Sequence, residues 1–487
     1  MSDIPLPAPA DGVEPSASRA WSPPRFGQID LLIAGGIALA FYLFALWRLG
    51  SPQEQIFDEI YHARTAMEYI AGVDLHEWTH PPLAKLLIAL SMLAWNVRFN
   101  PRDGFWTDKA QYPYNVAMAW RFPSLLFGCA TLVMLYVLTR TLFGRRDIAT
   151  TATCLLALDG VFFVQSRVAM TNIYTVFFVL LSAYGTYRFI RSNKKRNLLI
   201  TGLGIALALA TRWSTLYVWG LTGLALLWHL TTTLIPDWAD EGEARGVSVF
   251  LSRAAAWVGM VALCLIIIPV LVYAASYIPN VLAGGGDWRH RLFTWSGDGG
   301  NHTWKWLLGV REGLQHDMWA YHAGIKDKHP YSSPWWSWPI MKRPVWYYYQ
   351  KDSVGLIEGI WCIGNALVWW ASIPALVAAA YFAWRDRIAA LGLIALMGLG
   401  QWLMWAIEPR SLVFMHYYFE SIPYACIALA YGGWRIWDAG LAWPRRAVLL
   451  YAVLVFAWFV FYYPLLSGYP ISEGYYQSHV WMGPAWT

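Results

Sequence analysis

Three observations predict an all-α integral membrane protein, built as a bundle of many spans. The 487 residues are 57% hydrophobic and only 14% charged, well short of the roughly 25% charged residues usual in soluble domains. About eleven stretches stay apolar for about 20 residues, the length a helix needs to cross ~30 Å of hydrocarbon. Basic residues gather in short loops that alternate with those stretches.

The apolar stretches centre near Ala40, Leu126, Leu156, Phe178, Ala206, Leu221, Leu265, Val368, Ile394, Tyr424 and Leu454. Only Thr211-Arg212-Trp213 divides the pair near Ala206 and Leu221, so residues 198–234 read as either one span or two. Four basic clusters set the orientation: Arg140, Arg145 and Arg146; Arg188 to Arg196; Arg385 with Arg387; and Arg435 with Arg445 and Arg446. With a cytoplasmic N-terminus all four fall on the cytoplasmic side, as positively charged loops prefer. Residues 1–28, rich in Pro, Ala and Ser, read as a disordered cytoplasmic tail, residues 29–466 as one membrane domain, and residues 467–487 as an extracytoplasmic tail.

The same threading exports two long loops, about 50–115 and 279–355, and long loops in a compact protein usually carry function. Residues 60–70 and 83–95 of the first show helical apolar spacing and predict short interfacial helices. The second is crowded with Trp, Tyr, Pro and Gly and shows no helical period, which predicts order through aromatic packing. The net charge of +6 fits basic loops against an anionic leaflet and argues against nucleic acid as a partner. Five cysteines scattered through apolar runs, without CxxC or His/Cys clusters, suggest neither a disulfide framework nor a zinc site.

Ions beside hydrocarbon are costly and are kept mostly for function. Asp58 and Glu59 stand just behind the first span on the outer side. They read either as a solvated helix cap or as carboxylates that deprotonate or position a hydroxyl. Arg121, Arg167, Arg212 and Arg410 lie at outer span ends, and Arg343 in the second exported loop. Each alone fits a snorkelling arginine; several converging on one face fit an anionic phosphate at the outer membrane surface. His416 and Tyr417, with Glu420, follow Arg410 and read as site or as buried core, and Asp159 as functional or as the buried partner of an arginine.

These residues, taken together, resemble the protein O-mannosyltransferase family, polyprenyl-phosphate-mannose-dependent enzymes of the GT-C class. The resemblance runs from about Phe57 to the last span. Phe57-Asp58-Glu59 resembles the family's acidic pair after the first span, and His80-Pro81-Pro82-Leu83-Ala84-Lys85 its HPPLGK motif with Ala84 in place of Gly. Arg121 falls in a run like the family's second-span arginine segment, and Gln165 to Met170 resembles its SRxAM stretch. Ser332 to Trp338-Pro339, Arg343 to Tyr348, Gly364-Asn365 and Arg410 through His416-Tyr417-Tyr418 complete it. Two departures stand out. Asn172 occupies a position where the family commonly has Asp, and the second loop is too short for the eukaryotic sugar-binding module, so the resemblance is to bacterial-type members.

The resemblance implies a GT-C bundle that transfers mannose, with inversion, from polyprenyl phosphate mannose in the membrane to Ser or Thr hydroxyls of exported proteins. It implies Asp58 as the catalytic carboxylate, with Glu59 or His80 in support, and Arg121, Arg212 and Arg343 on the phosphate. Arg167, Arg410, His416 and Tyr417 join them as substrate contacts, and Trp338 stands either in a sugar wall or in the core. No cofactor is required by this reading; the acidic pair alone offers too few ligands for a divalent metal. The expected setting is the cell membrane, with the active site outside and an association with the secretion machinery. Two rival readings stay open: transfer of another sugar, or to a lipid or glycan acceptor, and a transporter, which should show pseudo-repeated halves that this chain lacks.

Overall fold

A computed structural model describes residues 21–73, 75–97, 114–297, 300–327, 329–408 and 410–486. The expected N-terminal tail lies, as far as residue 20, outside the described residues, and so does the end of the first exported loop, 98–113.

Eight helical stretches among the described residues are long and apolar enough to cross a bilayer: Gln28–Leu46, Val116–Phe143, Asn172–Ser192, Thr215–Arg245, Val247–Ala283, Ala366–Arg385, Ala389–Ala406 and Ala442–Ser467. The remaining expected centres fall on shorter helices. In chain order the elements begin with α1 (Gln28–Leu46), α2 (Glu59–Ala71), α3 (Leu83–Ala94), α4 (Tyr114–Phe143), α5 (Arg146–Ala157), α6 (Gly160–Gln165) and α7 (Asn172–Ser192). They continue with α8 (Lys195–Leu209), α9 (Thr215–His229), α10 (Ile235–Arg245), α11 (Val247–Ala262) and α12 (Ile268–Ser276). The expected centre near Leu156 therefore belongs to α5, which α6 follows, and that near Ala206 to α8. Residues 198–234 hold two helices, turning at Thr211-Arg212-Trp213.

The second long loop, expected at about 279–355, departs from its aperiodic reading. It holds four short helices, α13 (Ile278–Ala283), α14 (Trp288–Phe293), α15 (Trp304–Leu307) and α16 (Leu314–Gly324), then a hairpin of β1 (Val345–Lys351) and β2 (Ile357–Cys362). Helices of about one to three turns leave too few periods to register against so many aromatics. The helices α17 (Ala366–Arg385), α18 (Ala389–Leu403), α19 (Ile422–Asp438), α20 (Ala442–Ser467) and α21 (Glu473–Gln477) complete the chain. In the first long loop, α2 and α3 fall where the apolar spacing places them.

Small residues and buried ions hold the bundle. Gly185 and Gly204 let α7 and α8 touch backbone to backbone: a Cβ on Gly185 would lie 2.5 Å from the Thr201 nitrogen, and one on Gly204 2.6 Å from that of Ser182. Asp30 of α1 accepts from Tyr136 and Arg140 of α4 and from Arg146 of α5, at 3.0, 3.1 and 3.0 Å, tying three helices at their basic-loop ends. These bonds satisfy the carboxylate of Asp30, which is itself buried. At the other end the hairpin packs under the C-terminal segment, with Trp361 fully buried and stacked on Trp346 at 4.5 Å. This layer of short helices and hairpin roofs the bundle and shapes a cleft.

Candidate active site

A cleft of about 500 Å³ opens where the long loop after α1, the start of α7, the α8–α9 turn and the segment before α19 meet. Asp58, His80, Arg212, Arg410, His416 and Tyr417 all line it, so six of the residues singled out in the sequence converge on one space.

Asp58 sits at the N-terminus of α2 yet makes no side-chain capping bond. Its backbone carbonyl accepts from the amides of Tyr61 and His62, both at 3.0 Å, which starts the helix and leaves the carboxylate for the cleft. Phe57 before it is held at φ 49°, a left-handed conformation strained for a bulky side chain. Stacking of Phe57 on Tyr347 at 4.2 Å, with an edge contact to His416, fixes that turn. Burial pushes the Asp58 carboxyl up to about 6, with Arg410 and Arg212 opposing the rise and Glu77 adding to it. A carboxylate titrating just below neutrality is ionised at physiological pH yet basic enough to take a proton.

The turn before α3, which also lines the cleft, is a tightly bonded knot. Glu77 accepts from the His80 amide at 2.9 Å, from the Thr79 hydroxyl at 2.5 Å and from Lys85 Nζ at 2.5 Å. Lys85 also donates to the carbonyls of Glu77 and His80, at 3.0 and 2.8 Å. The role of the Lys85 end of the HPPLAK run is therefore structural: it folds the loop back so that His80 faces the cleft. His80 Nδ1 lies 3.1 Å from Glu77 Oε1. Burial holds the His80 imidazole below its ordinary range although Glu77 favours its charged form, so Nδ1–H donates to Glu77 and Nε2 remains as an acceptor.

The positive wall is formed by two arginines around one ring. Arg212 lies 4.6 Å over Tyr417 and donates to Asn172 Oδ1 at 2.9 Å, with Glu420 at 3.4 Å. Arg410 donates to the Leu412 carbonyl at 2.7 Å and to the Tyr417 hydroxyl at 3.3 Å, and approaches His322 Nδ1 at 3.3 Å. His322 Nε2 in turn meets the Thr79 carbonyl at 2.8 Å, which assigns Nδ1 as the acceptor. His416 stacks parallel on Phe414 and stands edge-on to Tyr347. One carboxylate faces two guanidinium groups across a space large enough for a sugar phosphate, an arrangement that takes a proton on one side and holds an anion on the other.

Five expected site residues are placed elsewhere. Glu59 is wholly buried and accepts from Arg121 at 2.9 and 2.8 Å, from the Ile56 amide at 3.1 Å and from the Ala169 amide at 2.9 Å. Both its oxygens are used, so it stands as the partner of Arg121 and not as a reacting group. Arg121 completes that knot through the carbonyls of Leu49, Pro52 and Glu54, at 3.1, 2.7 and 2.9 Å. Arg167 donates to the Trp47 and Leu466 carbonyls, at 3.0 and 3.2 Å, satisfying the ends of α1 and α20. Trp338 is fully buried beneath Tyr417 and Trp405, and its indole donates to the Ser333 carbonyl at 2.9 Å, so it is core rather than sugar wall. The left-handed turn at Met341 (φ 52°) leads straight into β1 and leaves Arg343 at the root of the hairpin, off the cleft. Asp159 caps α6, accepting from Phe162, Asn365 and the Trp369 indole, and among the described residues no arginine partners it.

Glu77 and His322 were not singled out from the sequence. For Glu77 a signal existed: a carboxylate three residues before His80 and eight before Lys85, a spacing that suits a folded-back turn. For His322 there was none, since its loop brings it to the cleft from far along the chain. Among the described residues no group of three or more His, Cys, Asp or Glu side chains converges as metal ligands would.

Comparison with known proteins agrees with this architecture. A family model described as dolichyl-phosphate-mannose-protein mannosyltransferase matches residues 36–282, and one described as the C-terminal four-transmembrane region of protein O-mannosyltransferase matches residues 312–486. A polyprenol-phosphate-mannose–protein mannosyltransferase of Corynebacterium glutamicum is 27% identical over 84% of this chain and 81% of its own length. One of Mycobacterium tuberculosis is 25% identical over 95% and 93%. Among solved structures, the S. cerevisiae protein O-mannosyltransferase Pmt1-Pmt2 complex bound to the sugar donor superposes with a TM-score of 0.74 at 14% identity, covering 95% of this chain and 93% of that one.

Proposed function

The chain belongs to the dolichyl-phosphate-mannose-protein mannosyltransferase family, and from that premise we propose how its cleft performs the transfer. The enzyme is a membrane-embedded polyprenyl-phosphate-mannose–protein mannosyltransferase. It moves mannose from the lipid-linked donor to a protein hydroxyl. In our reading the acceptors are Ser and Thr residues of exported chains, the cleft faces the extracytoplasmic side of the cell membrane, and the secretion machinery delivers the acceptors nearby.

The observation that carries the mechanism is the uncapped Asp58 facing Arg212 and Arg410 across one cleft. The acceptor oxygen attacks the anomeric carbon as the bond from that carbon to the phosphate oxygen breaks. The hydroxyl proton passes to Asp58, and the leaving polyprenyl phosphate takes the electron pair. Attack opposite the leaving group inverts the anomeric centre. Arg212 and Arg410 stabilise the charge that grows on the phosphate, an interaction stronger in the transition state than in the bound donor. His80 Nε2 accepts from a sugar or acceptor hydroxyl and holds it in line. In our reading no cofactor is required, the donor lipid being a substrate.

The imidazole of His80, backed by Glu77, has the geometry of a second candidate base. A single assay separates the two. Purified enzyme receives labelled polyprenyl phosphate mannose and a Thr-containing peptide. Asp58→Asn is expected to abolish peptide labelling while His80→Ala lowers it less; the reverse order would move the base to His80. Donor consumed by wild type with no labelled peptide would overturn the protein acceptor.

A further inference from the structure

We propose that the free edge of β1 docks the acceptor polypeptide as a third, extended strand leading to Asp58. This rests on the protein-acceptor reading above. The hairpin has only two strands, and its hydrogen bonding fixes which groups point outward. The amide of Ile357 donates to the Ile471 carbonyl at 2.8 Å and the Ile471 amide returns the bond at 3.0 Å, so both backbone groups of Ile357 face away from β1. Ile357 is opposite Lys351, Glu358 opposite Gln350, and Gly359 opposite Tyr349. The Asp352 amide donates to the Leu356 carbonyl at 2.9 Å, which gives the same phase. Directions alternate along an antiparallel strand. Tyr348 and Gln350 therefore bond to β2, while the amides and carbonyls of Tyr349 and Lys351 point to the open side. Among the described residues neither finds a backbone partner there.

Open strand edges are usually guarded because they pair with other chains. This one is partly guarded: a bulge lies between Trp346 and Tyr348, and Lys351 is an edge lysine. The Lys351 ammonium, however, is turned aside onto Glu473 at 2.7 Å, and the edge stays open beyond the bulge. The edge is also continuous with the catalytic cleft. Tyr347, two residues before Tyr349 and so about 7 Å along the strand, carries Phe57 on its ring at 4.2 Å, and Phe57 aims Asp58. A chain paired with Tyr349 and Lys351 thus runs toward the carboxylate. Unfolded exported segments are extended and present free backbone amides. Recognition through backbone bonds rather than side-chain pockets suits an enzyme that must accept hydroxyls in many sequence contexts.

The test uses the whole enzyme in nanodiscs with the labelled donor and a Thr peptide, next to peptides N-methylated at single backbone positions flanking the Thr. Strand docking predicts a period of two: methylation of amides that face β1 raises the acceptor KM about tenfold, and methylation of the intervening amides leaves it unchanged. Tyr349→Pro removes one outward amide without touching the β1–β2 ladder, and should raise the acceptor KM similarly while the donor KM stays put. Uniform tolerance of methylation, with KM within about twofold throughout, would overturn the proposal even if the variant misfolds. A changed oligomeric state in Tyr349→Pro with the acceptor KM unmoved would assign the edge to a second copy and overturn it as well. Donor turnover by wild type without any label on the parent peptide would remove the protein acceptor itself, and the docked strand with it.

Discussion

Asp58 and Glu59 are one peptide bond apart and carry the same chemistry, yet the fold treats them as opposites. Glu59 turns into the protein, where four donors, two of them from Arg121, saturate it. Asp58 turns into a cleft, is left without a capping bond and faces two arginines that have other anchors. The first carboxylate holds the loop after α1 onto the bundle; the second is free to face the cleft. In our proposal the two acids combine an anchor and a base, the anchor fixing where the base points.

The largest expected effect breaks the base. Asp58→Asn keeps the shape and removes the proton acceptor, so kcat should fall about 10²–10⁴-fold with donor KM little changed. The folded protein should not suffer. Burial raises the Asp58 carboxyl from its unfolded range to about 6, so the native state holds its proton more firmly. Ionising it costs stability as pH rises through that window. The melting temperature of Asp58→Asn at pH 7.5 should therefore match or exceed wild type, and a large drop would show Asp58 to be structural.

The next effect breaks the anchor. Arg121→Ala leaves Glu59 charged, buried and half-partnered, which costs about 3–5 kcal/mol in comparable cases. Low yield and a lowered melting temperature are expected. Replacing both residues together should cost less than the sum of the single changes, as coupled pairs do. Strict additivity in that cycle would deny the pairing.

A smaller effect tests the positive wall. Arg212→Gln or Arg410→Gln should lower kcat/KM for the donor by about 10–100-fold, the range for a lost charge-assisted contact. Inhibition by the product polyprenyl phosphate should weaken in parallel. Arg343→Gln, at the root of the hairpin, should leave both within about twofold, as changes away from named contacts do.

The contrast between neighbouring acids also marks what the sequence could tell. Membrane helices were legible because twenty apolar residues satisfy one simple requirement, and each expected centre lies on a helix. The cleft was legible in part, because ions beside hydrocarbon need a reason, and Asp58, His80, Arg212, Arg410, His416 and Tyr417 do meet. The division of labour was not. Glu59 and Arg121 pair across 62 positions, and Arg167 answers carbonyls at the far end of the chain, contacts that no local spacing encodes. The hairpin was missed for a related reason: Trp346 and Trp361 stack across a turn, and an unbroken aromatic run hides the alternation of a strand.

The finest test of the comparison is a pH profile. Asp58 must be ionised to accept a proton, and its carboxyl titrates at about 6. Below that pH, kcat/KM should fall about tenfold per unit. The charges around Asp58 set the position of the limb, and they pull in opposite directions. Arg410 favours the ionised form, so Arg410→Gln should move the limb upward by a fraction of a unit. Glu77 disfavours it, so Glu77→Gln should move the limb downward, provided the variant keeps the Lys85 contacts to the two carbonyls. Opposite shifts from the two changes would identify Asp58 as the titrating group. A limb that ignores both changes would mean that another group carries the proton, and His80 would be the next residue to replace.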